Sequence, residues 1–198
     1  ADLTEDGWYV DCTLGLAGHT TKLLTQSKDA RVIGIDQDRT ALHLAKQKVE
    51  DCGLDPSSLR TVHTSFQEID EVVQHSGDGE QVRGILADLG LSSLQLAAVN
   101  RGFSFRELSA KLDMRFNGDF DPNVADAFRD GSVSADSDSM TAAQLLTTAT
   151  QKELEDIFFK YGEESHGRLA AKLVVRYPQF FDFDLAVLSA NLKVTTSV

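Results

Sequence analysis

Three stretches of the 198-residue sequence set acidic side chains and glycines where strands would hand over to helices. Asp11-Cys12-Thr13-Leu14-Gly15-Leu16-Ala17-Gly18-His19 ends an apolar run and opens a helical pattern. Glycines there allow positive φ and close backbone approach, so peptide N–H groups can face a ligand at a helix N-terminus. Asp36 ends the next apolar run, 18 residues beyond Gly18, where a carboxylate can accept both hydroxyls of a ribose. Its plain alternative is a helix cap or a surface acid, with Asp38 competing for the cap. Together, loop and acid indicate an adenosine-type cofactor, a nicotinamide dinucleotide or S-adenosylmethionine. The spacing Gly15-Leu16-Ala17-Gly18 does not match G-x-G-x-x-G, which favours the latter. Asp88, in Asp88-Leu89-Gly90-Leu91-Ser92-Ser93, follows a further apolar run. It is suited to hold the amino-acid part of such a cofactor or to orient an acceptor amine, or else to cap a helix. His19 reads as a cofactor contact rather than a base. Cys12 reads as packing, and the remaining histidines are too scattered for a metal site.

The elements that must position these residues alternate. Strands are predicted at 8–12, 31–36, 59–64 and 82–88, and helices at 20–26, 38–49 and 66–74. Asp38 stands as the N-cap of the second helix, with Ala41, Leu42, Leu44, Ala45 and Val49 at helical spacing. Such alternation means right-handed crossovers and a parallel sheet of order 3-2-1-4. Ligands bind such sheets beyond the carboxyl ends of the strands, at the switch point between strands 1 and 4. After Asp88 the pattern turns helical, with 92–99 holding one or two turns and helices predicted at 141–148, 151–161 and 164–177. Thr150 and Glu153 form a capping box for the middle one of these three. A weak apolar run lies at 180–188.

Composition narrows the classes further. A net charge of −12 and a pI near 4.7 argue against a general nucleic-acid binder, because phosphate contacts need clustered Lys and Arg. Much of the acid sits in one predicted loop, residues 119–138, which carries six Asp against one Arg. Two cysteines make neither a disulfide framework nor a zinc spacing. No apolar run approaches the about 20 residues of a membrane span, so no membrane partner is expected. The opening ADLTEDGWYV has no basic or apolar leader region, although the sequence starts without Met and an upstream targeting segment stays open.

Six motifs in order carry a resemblance. They are Leu14-Gly15-Leu16-Ala17-Gly18-His19-Thr20, Ile35-Asp36-Gln37-Asp38, the stretch from Asp88 to Leu96, Arg101-Gly102-Phe103-Ser104-Phe105, Leu112-Asp113-Met114-Arg115 and Tyr161-Gly162-Glu163-Glu164. From about Tyr9 to Val175 the chain resembles the small-subunit ribosomal RNA (cytosine-N4)-methyltransferases known as MraW or RsmH. The resemblance implies a class I methyltransferase of the α/β class, with a Rossmann-like parallel sheet, here incomplete, and a helical insertion domain. It implies S-adenosylmethionine as cofactor, held by Ala17, Gly18, His19, Asp36, Phe66, Asp88 and Gln95, and Asp88 as candidate catalytic acceptor for the amine. Without it, Phe66 reads as a core residue opening an amphipathic helix. The expected division is 1–92 for cofactor binding and 93–198 for the insertion. The implied reaction moves a methyl group to N4 of a cytidine, with small-subunit ribosomal RNA or the assembled small subunit as partner. Basic and aromatic groups at 101–106 and 111–115 suit RNA, or serve as a structural clamp.

Departures from the family shape the alternatives. Ala17 stands where the family usually has Gly, and its added Cβ is expected to weaken the ligand. Ala110-Lys111 replaces a Gly-Pro pair. The family's His-x-Pro-Val segment and the motifs that follow its helical insertion do not occur, so the sequence reads as a fragment or a shortened relative. The rival readings are a catalytically inactive cofactor-binding or ribosome-assembly module, and a nicotinamide-dependent oxidoreductase. A bacterial member would be cytoplasmic. A eukaryotic one would be mitochondrial or plastid, and the acidic loop tilts the reading toward a eukaryote.

Overall fold

The computed structural model describes residues 6–76, 79–98, 101–104, 111–116 and 140–178. The acidic stretch 119–138, Phe105 and Arg106, and the apolar run 180–188 lie outside them. The chain divides into two compact units. One holds the described residues up to Leu94 together with Phe116, and the other holds the rest.

In the first unit, elements run β1 (Gly7–Asp11), α1 (Gly18–Gln26), β2 (Ala30–Asp36), α2 (Arg39–Asp51), β3 (Leu59–His63), α3 (Ile69–Ser76) and β4 (Val82–Leu86). All strand pairs are parallel and the order is β3-β2-β1-β4, as the alternation predicts. Residue alternation along each strand splits the core in two. Tyr9 and Val32 face α1 and α2, packing with Leu24, Leu42 and Val49. Trp8, Val10, Cys12, Ile33 and Ile35 face the other way and pack with Val72 of α3, flanked by Ile69 and Val73. Helices on both faces of a parallel sheet around one strand-order reversal make this a Rossmann-like arrangement. The Arg31 and Arg60 guanidiniums lie 4.7 and 4.9 Å from the centre of the buried Trp8 ring, adding cation–π attraction to the second core. Burial, with the nearby Asp11 charge adding to it, pushes the Cys12 thiol up, so it stays an uncharged filler.

Element ends shift for local reasons. α1 begins at Gly18, two residues before the predicted start, because Ala17 already adopts a left-handed conformation that turns the loop into the helix. Asp38 caps α2 as expected, its Oδ1 accepting from the amides of Thr40 and Ala41. A 3-10 turn at Phe66–Glu68 precedes α3, with the Ser65 hydroxyl accepting from the Gln67 amide. β4 is shorter than predicted. It has β1 alone as neighbour among the described residues, and Ile85 is 63% exposed.

The short α4 (Ser93–Ala97) runs across the boundary between the two units. The second unit also contains α5 (Ala142–Thr148), α6 (Gln151–Lys160) and α7 (Gly167–Arg176). Thr150 and Glu153 form the expected capping box of α6, and Thr141 with Gln144 forms another on α5. Tyr161-Gly162-Glu163-Glu164 is the turn between α6 and α7. There the Gly162 amide bonds the Ile157 carbonyl, and Glu163 takes a positive φ of 50°. Gly167 lets α7 approach closely, since a Cβ on it would lie 3.1 Å from the Phe158 Cβ. Leu154, Ala171 and Val174 form the core between the helices. No helix among the described residues is long and apolar enough to cross a membrane.

Gly34 in β2 is the tightest point under the first loop. A Cβ there would sit 2.6 Å from the tip of Leu14, a side chain that is itself buried. Gly34→Ala is expected to destabilise the first unit by about 1–3 kcal/mol through overpacking. A lowered urea midpoint at unchanged slope would show it; an unchanged midpoint would contradict this packing.

Candidate functional site

Side-chain hydrogen bonds add to the sheet ladder at the carboxyl ends of β1, β2 and β4. Asp11, the last residue of β1, is buried, and its Oδ2 accepts from the Thr20 hydroxyl at 2.8 Å. Its Oδ1 accepts from the Thr13 amide at 3.2 Å, so the chain turns back over the strand end. Gly15 then takes a φ of +50°, and its amide donates to Asp36 Oδ2 at 2.8 Å. The other oxygen of Asp36 accepts from the Asp38 amide at 2.9 Å. Burial pushes the Asp36 carboxyl above the ordinary range, opposed by these amide bonds. The side chain is only half-buried.

Ala17 is fully buried, with φ 55° and ψ 33°. Its methyl packs with Leu14 and Leu24 in the core, so the Cβ is not the intrusion on a ligand that its place in the loop leads one to expect. No side chain caps α1, which leaves the first amides of the helix, those of Gly18 and His19 included, without a side-chain acceptor. A helix start of this kind, with a partial positive charge, favours an electron-rich group in front of it.

Asp88 lies two residues beyond β4. Its amide donates to the Thr13 hydroxyl oxygen at 2.8 Å, fixing the post-β4 chain against the β1 loop. The carboxylate is left 68% exposed, and its Oδ2 lies 4.0 Å from His19 Nδ1, itself on a half-exposed ring. That distance is electrostatic proximity and not a hydrogen bond. Phe66 follows the end of β3, and the Thr64 amide ties that end to the Asp36 carbonyl at 3.2 Å. Its ring is 40% exposed and belongs to neither core cluster, so the core reading of this residue does not hold.

The first unit therefore brings Gly18, His19, Asp36 and Asp88 to one end of the sheet, with Ala17 beneath the loop and Phe66 beyond β3. Gln95 belongs to the other unit, where it is buried in α4. Sequence reading gave no role to Asp11 or to Thr13. The available signal was Asp11 itself, a charged residue closing a strand that is otherwise aromatic or apolar after Gly7.

In the second unit, the 101–104 and 111–115 segments form an internal clasp. Arg115 grips Asp113 with a two-pronged pair of 2.7 and 2.5 Å, and the Arg101 guanidinium donates to the Arg115 carbonyl at 2.6 Å. Burial pulls the Asp113 carboxyl up. The Arg115 hydrogen bonds and the charges of Arg115 and Arg101 outweigh that pull and hold it below the usual range. Gly102 has φ +74°, and a Cβ there would lie 2.5 Å from the Lys111 carbonyl oxygen, so no side chain fits. The Asp113 and Leu112 carbonyls accept from Ala142 and Ala143 at the start of α5. Two arginines expected to suit RNA are thus engaged within the protein.

The model of the MraW methylase family matches residues 2–186. Ribosomal RNA small subunit methyltransferase H of Bifidobacterium longum subsp. infantis is 39% identical over 173 residues, 87% of this chain and 42% of the relative. The protein of the same name from Clostridium botulinum strain Loch Maree is 35% identical over 175 residues, 88% of this chain and 49% of the relative. The chain thus spans less than half the length of these curated relatives. Both are bacterial, and they lend no support to an organellar setting. A solved rRNA methylase from Streptococcus thermophilus is 23% identical, with a TM-score of 0.36 over 44% of this chain and 47% of that one. With the family model covering nearly the whole sequence, the chain belongs to the MraW methylase family.

Proposed function

We propose that this chain carries the cofactor-binding portion, residues 1–92, and the helical insertion, residues 93–198, of an enzyme that uses S-adenosylmethionine to methylate N4 of a cytidine in small-subunit ribosomal RNA. The observation that carries the reading is one convergence. Asp36, the uncapped start of α1 and the exposed carboxylate of Asp88 lie at the strand-order reversal, where such sheets take their ligands.

Each residue has a part that its geometry supports. The half-buried carboxylate of Asp36 accepts from the ribose hydroxyls, while its bonds to Gly15 and Asp38 keep it from turning away. The half-exposed Phe66 ring offers an apolar face to the adenine. The amides of Gly18 and His19 face the amino-acid end, with Ala17 contributing backbone alone. When bound, the cofactor supplies an activated methyl group on a sulfonium. The acceptor amine is a poor nucleophile because its lone pair is delocalised into the ring. Asp88 accepts a hydrogen bond from that amine, holding it in line and stabilising positive charge as it develops. The base must leave any stack to reach this position.

Calorimetric titration with S-adenosylhomocysteine tests the cofactor half. Binding is expected for the chain, with no binding of NADH, and Asp36→Ala should lose about 1.5–3 kcal/mol, roughly 10- to 100-fold in affinity. Asp36→Asn keeps an acceptor oxygen for Gly15 and separates loss of the ligand from loss of the loop. A folded chain that binds no S-adenosylhomocysteine would favour the inactive-module alternative. The pH profile has a fixed sign. Because the folded Asp36 carboxyl is raised, it takes up its proton at a pH above the ordinary value of about 3.9 as the solution is acidified. Affinity should accordingly begin to fall above that pH in the wild type, and Asp36→Asn should abolish this limb.

Thr13→Val removes the acceptor that holds the Asp88 amide while keeping the side chain's shape. Methyl transfer to small-subunit RNA should drop about 10- to 100-fold through misplacement of Asp88, with thermal stability and S-adenosylhomocysteine affinity nearly unchanged. Equal losses in binding and transfer would show instead that Thr13 serves the cofactor pocket as a whole.

A further inference from the structure

α7 runs against the overall acid excess of the chain. The sequence carries 31 acidic against 19 basic side chains, yet the ten residues of α7, Gly167–Arg176, include no acid and three bases, Arg168, Lys172 and Arg176. These stand at i, i+4 and i+8, one above another along the helix and about 6 Å apart in rise. All three are exposed, whereas Gly167, Ala171 and Val174 form the face packed inward.

The helix dipole accounts for Arg176 in the last turn of α7 but not for Arg168 in the first. In α6 a base in the first turn, Lys152, is offset by Glu153, and the helix ends on Lys160. α7 has no acid in its first turn and puts Arg168 there, at the end where a cation is disfavoured. Nor does pairing absorb the charge. Arg168 approaches Glu155 of α6 at 3.8 Å, but its side chain remains 88% exposed. Leu169 and Tyr177 add exposed apolar and aromatic surface beside the row, and the Arg176 guanidinium lies 5.4 Å from the Tyr177 ring centre.

We infer that the outer face of α7 binds the phosphate backbone of single-stranded RNA through Arg168, Lys172 and Arg176. The inference rests on the reading of the chain as an RNA methyltransferase and assigns part of its substrate contact. A cationic row of regular pitch on a strongly acidic protein is complementary to a regular polyanion.

The test is fluorescence anisotropy of the chain with a labelled single-stranded 20-mer from small-subunit ribosomal RNA. It compares wild type with the triple variant Arg168→Gln, Lys172→Gln, Arg176→Gln over a salt series. Each neutralised phosphate contributes about 0.7 to the slope of log affinity on log salt. The variant should therefore lose a slope of about 2 and bind about 100-fold more weakly at 0.1 M salt. Circular dichroism should show an unchanged helix signal, and S-adenosylhomocysteine should bind both proteins equally. Identical RNA affinity and salt slope in the folded variant would overturn the inference, as would a wild-type chain that binds S-adenosylhomocysteine but no RNA. Polyglutamate is the control partner, and binding as tight as that of the RNA would make this a surface for acidic protein and overturn it as well. Failure of S-adenosylhomocysteine to bind, with RNA affinity dependent on the three side chains, would leave this inference standing and remove the enzymatic one.

Discussion

The whole cofactor end of the first unit hangs on one buried carboxylate. Asp11 closes its strand with a carboxylate where the neighbouring positions are apolar, and the Thr20 hydroxyl and the Thr13 amide donate to it. Burying a charge is costly unless hydrogen bonds satisfy it, so these two donors are structural necessities. Meeting them folds the chain back at Thr13 and aims α1 along the sheet. The same turn presents the Thr13 hydroxyl to Asp88 and the Gly15 amide to Asp36. Three strand ends are thereby set relative to one another by a chain of polar contacts, and the ligand-facing groups inherit that precision.

The two units manage charge in different ways. In the first, exposed carboxylates are kept where a ligand can use them. In the second, Asp113, Arg115 and Arg101 consume one another in a clasp that holds the start of α5, leaving α7 as the basic element. Arginines flagged by sequence as attractive to nucleic acid can thus be structural. An unremarkable helix further along presents its charge outward.

Most of the first unit was legible because its strands are short apolar runs bounded by acids and turns, and because Asp38 is an unambiguous cap; Thr150 served the second unit in the same way. Strand order followed from chirality alone. Element ends were harder. Phe66 is a case in point, since a 3-10 turn capped by Ser65 takes it out of the amphipathic face on which its spacing appeared to put it. The direction of the Ala17 methyl depends on a left-handed backbone that no residue type announces, Ala being a poor candidate for it. The Thr13–Asp88 bond joins positions 75 apart in sequence and follows from tertiary packing, which periodicity does not report.

The free flank of β4 gives the overall acidity a second meaning. Ile85, Leu89 and Leu91 are exposed on or just beyond a strand that has one neighbour among the described residues, a surface prone to pair with its own copies. A charge of −12 keeps such copies apart by mutual repulsion. Colloidal stability and strand architecture are therefore coupled in this protein. Near its pI of about 4.7 the repulsion vanishes while the apolar flank remains, and the molecule passes from a dispersed polyanion to a self-adhesive sheet.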